Sequence, residues 1–597
     1  MAAKYSGRSS NFRRRVLTQH DLHLSILRKS IFMKIIFITA GMFFFPCFSA
    51  ALHQQASDST GWDRVPIILQ SIIPPQFPAK DFLLTSSGAV GDGTTDCTNA
   101  FATAIDSCSK SGGGRVVVPA GTYLTGAIHL QSDVNLYVAA GATIKFLTDP
   151  AKYLPVVYTR FQGEECMNYS PLIYSYGQQN IAVTGAGMLD GQATSGNWWA
   201  WKNPSDADSY TLDSMATLNT PVAQRIFGTG HYLRPTFFQP YQCNNILVQG
   251  VTFKDSPMWF LNPVLCNNVS ILDVTIIANS GDSRPNTDGC DPECCTNVLI
   301  KGCSFNTGDD CIAIKSGKKA DGRRVNVPSS NIVIQNCRMQ DGHGGITVGS
   351  EMTGGVRNVF AEHDTMNSPN LQYGMRFKTN TSRGGFIENI YARNIYINQV
   401  STDAIYATST YSISGEYPSV GTYIPVMDNF YIDSMKCNKA SNALSMDGLP
   451  SSHISNVVLT NSIFTNITNQ TNHASYVDGL SYVNVSINGN ILTSADEKSG
   501  QNELPGQFLL RQNYPNPFNP STKINYQLPE ASHVTLRIYD IMGREVAVLV
   551  DGNKGAGYYT AVFDGARLAS GVYFTRLIVQ PQDSKQFVKV KKMLLIK

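Results

Sequence analysis

At 597 residues the chain exceeds what one ordinary globular core holds, so it is either several domains or a solenoid. Charged residues make up only 15% while Gly, Asn, Ser and Thr abound, which suits a β-rich exported protein better than a helical one. The formal charge of +3 gives no case for a nucleic-acid partner, because residues 1–50 carry eight Lys/Arg against one Asp and the remainder therefore holds −4.

The N-terminus reads as an export signal over residues 1–50. Arg28, Lys29 and Lys34 precede an apolar run from Ile35 to Pro46, and small residues follow at Ser49, Ala50 and Ala51. That run is too short to be a stable membrane span. Residues 51–80 read as a linker and 81–494 as the main domain. Near its start, Phe101, Ala104, Ile105 and Cys108 recur at i, i+3, i+4 and i+7, one apolar stripe of a helix, with Thr95 or Asp96 as N-cap. Laid across a solenoid's open end, such a helix would cap the exposed strand edge. Trp198, Trp199 and Trp201 follow on a loop, either as a sugar-stacking wall or as packing against the flank.

A repeat sets the expected fold. An Asn followed by an apolar residue recurs at Asn180, Asn245, Asn268, Asn297, Asn331, Asn358, Asn389, Asn429 and Asn456, each opening a short alternating strand. Strands at such a period, without helical patterns between them, predict an all-β, right-handed parallel β-helix whose asparagines stack as an internal ladder. The cysteines keep the same register. Cys243, Cys266 and Cys295 lie two residues before a repeat Asn, and Cys303 and Cys337 lie six after one. They read as an interior stack of small side chains. Zinc at Cys290, Cys294 and Cys295 would need the paired Cys-x-x-Cys spacing that this sequence lacks.

Within that repeat run three glycine-flanked motifs, Asn286-Thr-Asp-Gly289, Gly308-Asp-Asp-Cys311 and Gly342-His-Gly344. Asp288, Asp309, Asp310 and His343 are the candidate catalytic residues, because cleaving a glycosidic bond needs one carboxylic acid and one carboxylate. Asp309 is twelve residues after Asn297, and His343 twelve after Asn331, so the two share a corner on consecutive coils. Arg376 and Lys378 leave the next coil in the same manner and are the candidate substrate-binding cations.

These motifs, with Arg376-Phe-Lys378 and the flanking Ile314-Lys-Ser-Gly317 and Gly349-Ser-Glu-Met352, resemble glycoside hydrolase family 28, the polygalacturonases and their relatives. The resemblance implies a parallel β-helix that hydrolyses α-1,4-galacturonan in pectic polysaccharide with inversion and without a metal or other cofactor. It implies Asp309 as general acid, Asp288 and Asp310 holding the nucleophilic water, His343 supporting the acid's ionisation, and Arg376 and Lys378 on the substrate carboxylate. An inverting site is expected to hold its acid and base ~6.5–9.5 Å apart. The insertions Ala193–Arg225 and Lys318–Arg324 would wall off one end of the cleft and favour exo action. The alternatives are a hydrolase of rhamnogalacturonan or another pectic chain, a calcium-dependent pectic lyase, and a non-catalytic glycan-binding β-helix.

Residues 495–507 read as a polar linker, and 508–597 as a small β-sandwich with strands such as His533–Asp540 and turns at Gly543, Gly555–Gly557 and Gly571. Gln512-Asn-Tyr-Pro-Asn-Pro-Phe-Asn-Pro520, Gly571-Val-Tyr573 and the basic tail resemble a type A sorting domain of type IX secretion. Phe563 stands where that family usually has Trp. The resemblance implies the type IX secretion machinery as partner and a secreted or cell-surface location.

Overall fold

The computed structural model describes residues 61–492 except 280, 282–283, 413–421 and 470–471, and residues 507–596 except 514–515, 517 and 582–584. The expected export signal and most of the 495–507 linker lie outside the described residues. The main body is a right-handed parallel β-helix. Two long sheets run along it, and a third is formed by shorter strands on the face that carries the site.

The repeat asparagines sit where the chain turns into the first long sheet. Asn180, Asn245, Asn268, Asn297, Asn331, Asn358, Asn389, Asn429 and Asn456 all have φ between 53° and 65°. That left-handed conformation is one Asn tolerates far better than a β-branched residue does. Their side chains link coil to coil, Asn331 Nδ2 donating to Asn297 Oδ1 and Asn358 Nδ2 to Asn331 Oδ1, each at 3.1 Å. The ladder slips once, where Asn297 donates to Asn267 rather than Asn268. One residue beyond each of these turns, the inward positions Ile246, Val269, Val298, Ile332, Val359, Ile390, Phe430 and Val457 pair in unbroken register. All are buried, and they form one wall of the core.

The cysteines lie inside as expected, with a polar task added to their packing. Cys266 Sγ reaches Pro240 O at 3.3 Å and Cys295 Sγ reaches Pro263 O at 3.2 Å, each on the preceding coil. Cys303 and Cys337 reach Ile271 O and Ile300 O in the same way. Cys290 and Cys295 are core residues, whereas Cys294 Sγ accepts from Arg160 Nη1 at 3.3 Å. The three thiols serve different neighbours and do not converge on a zinc.

Two helices near the start of the described chain pack on the solenoid, one on its flank and one across its N-terminal end. Residues 61–80, expected to be linker, instead carry α1 (Arg64–Ser71), whose Val65 and Ile68 pack on Val333, Phe360 and Tyr391. The reason is an outer face too aromatic to leave wet. Phe360, Tyr391 and Tyr431 stack on successive coils, and Trp62 meets Phe360 edge-on at 5.6 Å. α2 (Thr98–Lys110) buries Phe101, Ala104, Ile105 and Cys108 across the end of the coil stack, as the stripe predicts. Its cap is Cys97, one residue beyond Asp96, and Asp96 Oδ1 still accepts from Thr98 N at 3.0 Å.

Residues 508–596 form two antiparallel sheets around their own core of Phe518, Ile524, Leu536, Ile538, Phe563 and Leu577. Phe563 fills its site against Phe518 at 5.8 Å. Among the described residues no helix is long and apolar enough to cross a membrane.

Candidate active site

The third sheet carries the site on strands stacked coil upon coil: β1 (Ile312–Ile314), β2 (Gly342–Gly349), β3 (Leu371–Lys378), β4 (Asp403–Thr408) and β5 (Asn442–Asp447). Asp309 and Asp310 sit just ahead of β1, His343 on β2, and Arg376 and Lys378 on β3. Strand pairing therefore brings together residues far apart in sequence, Thr347 opposite Arg376 and Gly349 opposite Lys378. The loop bearing Asp288 is fixed from below by buried Arg234, which donates to Pro257 O, Pro285 O and Asn286 Oδ1. Thr287 Oγ1 accepts from Gly308 N at 2.9 Å and ties the two acidic motifs together. Gly344 is needed for clearance, since a Cβ there would lie 2.2 Å from Thr347 Oγ1 and 2.8 Å from Asp310 Oδ1.

Asp288, Asp309 and Asp310 each offer an oxygen, and the three atoms lie within 4.8 Å of one another. That is closer than the ~6.5–9.5 Å expected for an inverting acid and base. Adjacent residues and adjacent coils supply these carboxylates, so the strand spacing of ~4.8 Å sets their separation. Each carboxylate is handled differently. Asp310 is enclosed, its Oδ2 taking Lys378 Nζ at 2.8 Å and its Oδ1 taking Arg376 Nη1 at 3.3 Å. Burial would raise its pKa, but these two cations hold it below the usual carboxylate value. Asp309 Oδ1 meets His343 Nδ1 at 2.8 Å. Burial again pushes upward, and the His343 hydrogen bond overrides it, holding Asp309 low while Asp309 holds His343 above the ordinary imidazole value. Asp288 goes the other way. Burial and then the Asp309 charge push it well above the carboxylate range, and its Oδ1 has no hydrogen-bond partner within the protein. Of the three carboxyls, Asp288 is thus the one whose protonated form the site favours, and His343 is the imidazole whose charged form it favours.

Arg376 and Lys378, expected to bind the substrate carboxylate, both bond Asp310 in the structure. A buried anion needs its counter-ions in place. Lys378 still borders the cleft, whereas Arg376 lies behind it with its guanidinium 4.6 Å over the Tyr373 ring.

Two further residues of the site carry motifs that were visible but unassigned. Lys315 is buried with Nζ 3.0 Å from Glu351 Oε2, 3.2 Å from Gly349 O, 3.6 Å from Asp288 and 3.9 Å from Asp291. Glu351 is also held by Arg383 Nη1 at 2.8 Å. Asp288, Asp309 and Asp310 are the group that could hold a cation, and Lys315, Arg376, Lys378 and His343 already contact them.

The cleft over these groups has a volume of about 380 Å³. Its far wall is built from the two insertions. α3 (Pro204–Thr217) and α4 (Lys319–Val325) are joined by Lys319 Nζ to Asp213 at 2.9 Å, and Arg225 roots α4 through Asp321 at 2.7 Å. Lys202, Tyr210, Lys318 and Lys319 face the same cavity as Asp309. Trp198 and Trp199 are buried in the flank, Trp199 Nε1 donating to Ser256 O, and Trp201 packs between Tyr169 and Tyr232. Of the two readings of these tryptophans, flank packing is the one realised.

Comparison with known proteins matches residues 108–478 to the family model of glycosyl hydrolases family 28, and residues 512–595 to that of a secretion system C-terminal sorting domain. A probable polygalacturonase of Vitis vinifera is 30% identical over 63% of this chain and 73% of its own length. The exo-poly-alpha-D-galacturonosidase of Dickeya chrysanthemi is 27% identical over 55% of this chain and 57% of its own. Among solved structures, a hyperthermoactive exopolygalacturonase from Thermotoga maritima is 40% identical, covers 72% of this chain and 97% of that one, and superposes with a TM-score of 0.68.

Proposed function

The chain belongs to family 28 of the glycosyl hydrolases, and from that premise we propose that it removes terminal galacturonate from α-1,4-galacturonan by single-displacement, inverting hydrolysis. The sorting domain marks this glycoside hydrolase for export to the cell surface or beyond, with the type IX machinery as its partner in transit.

One observation carries the assignment of roles. Among the three central carboxylates, the Asp309 side chain keeps 17% exposure, against 3% for Asp288 and none for Asp310. Asp309 can therefore meet a glycosidic oxygen, while Asp310, locked by Arg376 and Lys378, can only hold and orient. A water hydrogen-bonded to two carboxylates by ~2.8 Å bonds at a tetrahedral angle sets their oxygens ~4.5 Å apart. Asp288 and Asp310 suit that span, and Asp288 Oδ1 is the buried acceptor still lacking a partner.

The site raises the proton affinity of Asp288 and lowers that of Asp309, so catalysis needs a proton to pass from Asp288 to Asp309. Two carboxyls this close cannot both ionise cheaply, so they share one proton. A uronate entering beside His343 raises the proton affinity of the group nearest it, which is Asp309. Asp288, ionised by the transfer, takes the proton of the attacking water as Asp309 releases its own to the leaving oxygen. Lys202, Lys318, Lys319 and Arg383 also line the cleft, each paired with a carboxylate of the protein (Asp206, Glu164, Asp213 and Glu351), and can offer further donors to a uronate.

The α3–α4 wall supports removal of terminal residues. Product sizing on polygalacturonic acid, joined to proton NMR of the first-formed anomer, tests the whole reading. Monomer released from the outset as the β-anomer is expected. A ladder of oligomers overturns the exo assignment, an α-anomer overturns inversion, and unsaturated ultraviolet-absorbing products overturn hydrolysis.

A further inference from the structure

The catalytic sheet does not stop at the cleft. It continues through β4 and β5, and its Cα register carries one straight row outward from the site: Arg376 pairs with Tyr406, Tyr406 with Ser445, and Ser445 with His473. Met375, Ile405 and Leu444, one residue earlier on each strand, point into the core, so Arg376, Tyr406 and Ser445 face out. Tyr406 is half-exposed on that face. Its ring lies 4.8 Å from that of Tyr373, at 32°, and the Arg376 guanidinium lies 4.6 Å from the Tyr373 ring. The result is a braced aromatic step one coil beyond the cations that grip Asp310. It lies on the side away from α3 and α4, which close the cleft over earlier coils around Gln162.

Resting on the hydrolase reading above, we propose that Tyr406, backed by Tyr373, is the platform for the second sugar of the chain that remains after cleavage. With the terminal sugar against the wall and the next beside Lys378, the third residue of the substrate falls over the following coil, where Tyr406 stands. Coils are spaced ~4.8 Å apart, comparable to the advance of a polysaccharide per ring. The apolar C–H face of a pyranose stacks on an aromatic ring, and Tyr406 offers that surface without the charge repulsion a carboxylate would give. The step is one sugar deep. The next coil presents Ser445 and the acidic Asp447, hydrogen-bonded to His473 Nε2 at 2.7 Å, and neither has an aromatic face to stack on a further uronate.

The test is kcat/KM of the full chain and of Tyr406→Ala and Tyr406→Trp on oligogalacturonates of two to five residues. The wild-type enzyme should gain about three- to tenfold on going from dimer to trimer and little thereafter. Tyr406→Ala should erase that gain and Tyr406→Trp should keep it. Each ratio is taken within one preparation, so partial misfolding of a variant cancels. An undiminished dimer-to-trimer gain in Tyr406→Ala overturns the platform, as does a Trp variant that loses as much as the Ala one. If the wild-type enzyme cleaves no oligogalacturonate, the hydrolase reading itself fails, and the platform with it.

Discussion

Replacing Lys315 by Met removes one charge from the centre of the site while keeping an unbranched chain one atom shorter, and two consequences should follow. The first is on stability. The ammonium lies 3.0 Å from Glu351, 3.6 Å from Asp288 and 3.9 Å from Asp291, all buried. Breaking a buried ion pair from one side costs about 3–5 kcal/mol. Arg383 stays on Glu351 at 2.8 Å, so the lower end applies, about 3 kcal/mol. For a cooperative unit of about 400 residues that is a fall of roughly 3–4 °C in Tm. The second consequence is on proton affinity. Lys315 is the main cation opposing the burial and the Asp309 charge that raise Asp288. Without it Asp288 holds its proton more tightly, and a base that must ionise does so only at higher pH. The acidic limb of the kcat/KM profile should therefore move upward in pH, measured on trigalacturonate beside calorimetric melting. A lower Tm with an unmoved acidic limb would refute the assignment of Asp288 as base, leaving Lys315 a structural cation alone. A limb displaced to lower pH would refute the electrostatic argument altogether.

Asp309→Asn, nearly isosteric but unable to donate the proton, should lower turnover by roughly 10²–10⁴-fold with an unchanged circular dichroism spectrum; rates within threefold of wild type would remove Asp309 as the acid. Lys378→Ala should depress kcat/KM on pectate and on highly esterified pectin by the same factor, because Lys378 is bonded at 2.8 Å to Asp310; a loss confined to pectate would instead make it a reader of the substrate carboxylate. Cys337→Ala should cost on the order of 1 kcal/mol of stability through a small buried void and leave kcat/KM intact; lost activity at unchanged Tm would contradict its interior place.

What was legible in the sequence was whatever the solenoid repeats. The asparagines announce the turns because a left-handed backbone selects them, and the twelve-residue offsets of Asp309 and His343 announce a shared corner because coils stack in register. What stayed hidden depends on neighbours that no period encodes. Nothing in residues 61–80 says that Val65 and Ile68 have an aromatic ladder to cover, since Phe360, Tyr391 and Tyr431 come from three different coils. Lys315 lay inside a recognised motif, yet its partners Asp291 and Glu351 arrive from the coils before and after it. The cations on β3 were expected to face a sugar, and spacing alone could not say that Asp310 reaches them first. The tight grouping of the three carboxylates has the same origin, because coil spacing rather than substrate width fixes it.

The thiol stack has a consequence for how the enzyme is made. Twelve cysteines, every one of them buried, carry no disulfide among the described residues, in a protein bound for export through an oxidising compartment. In the folded chain their burial keeps oxidants and isomerases away from them. In the nascent chain nothing protects them, and any bridge formed early would tie coils together out of register. Folding therefore competes with oxidation: the coils must zip up before their thiols are oxidised. A solenoid, which can nucleate locally and propagate coil by coil, is a topology able to do so.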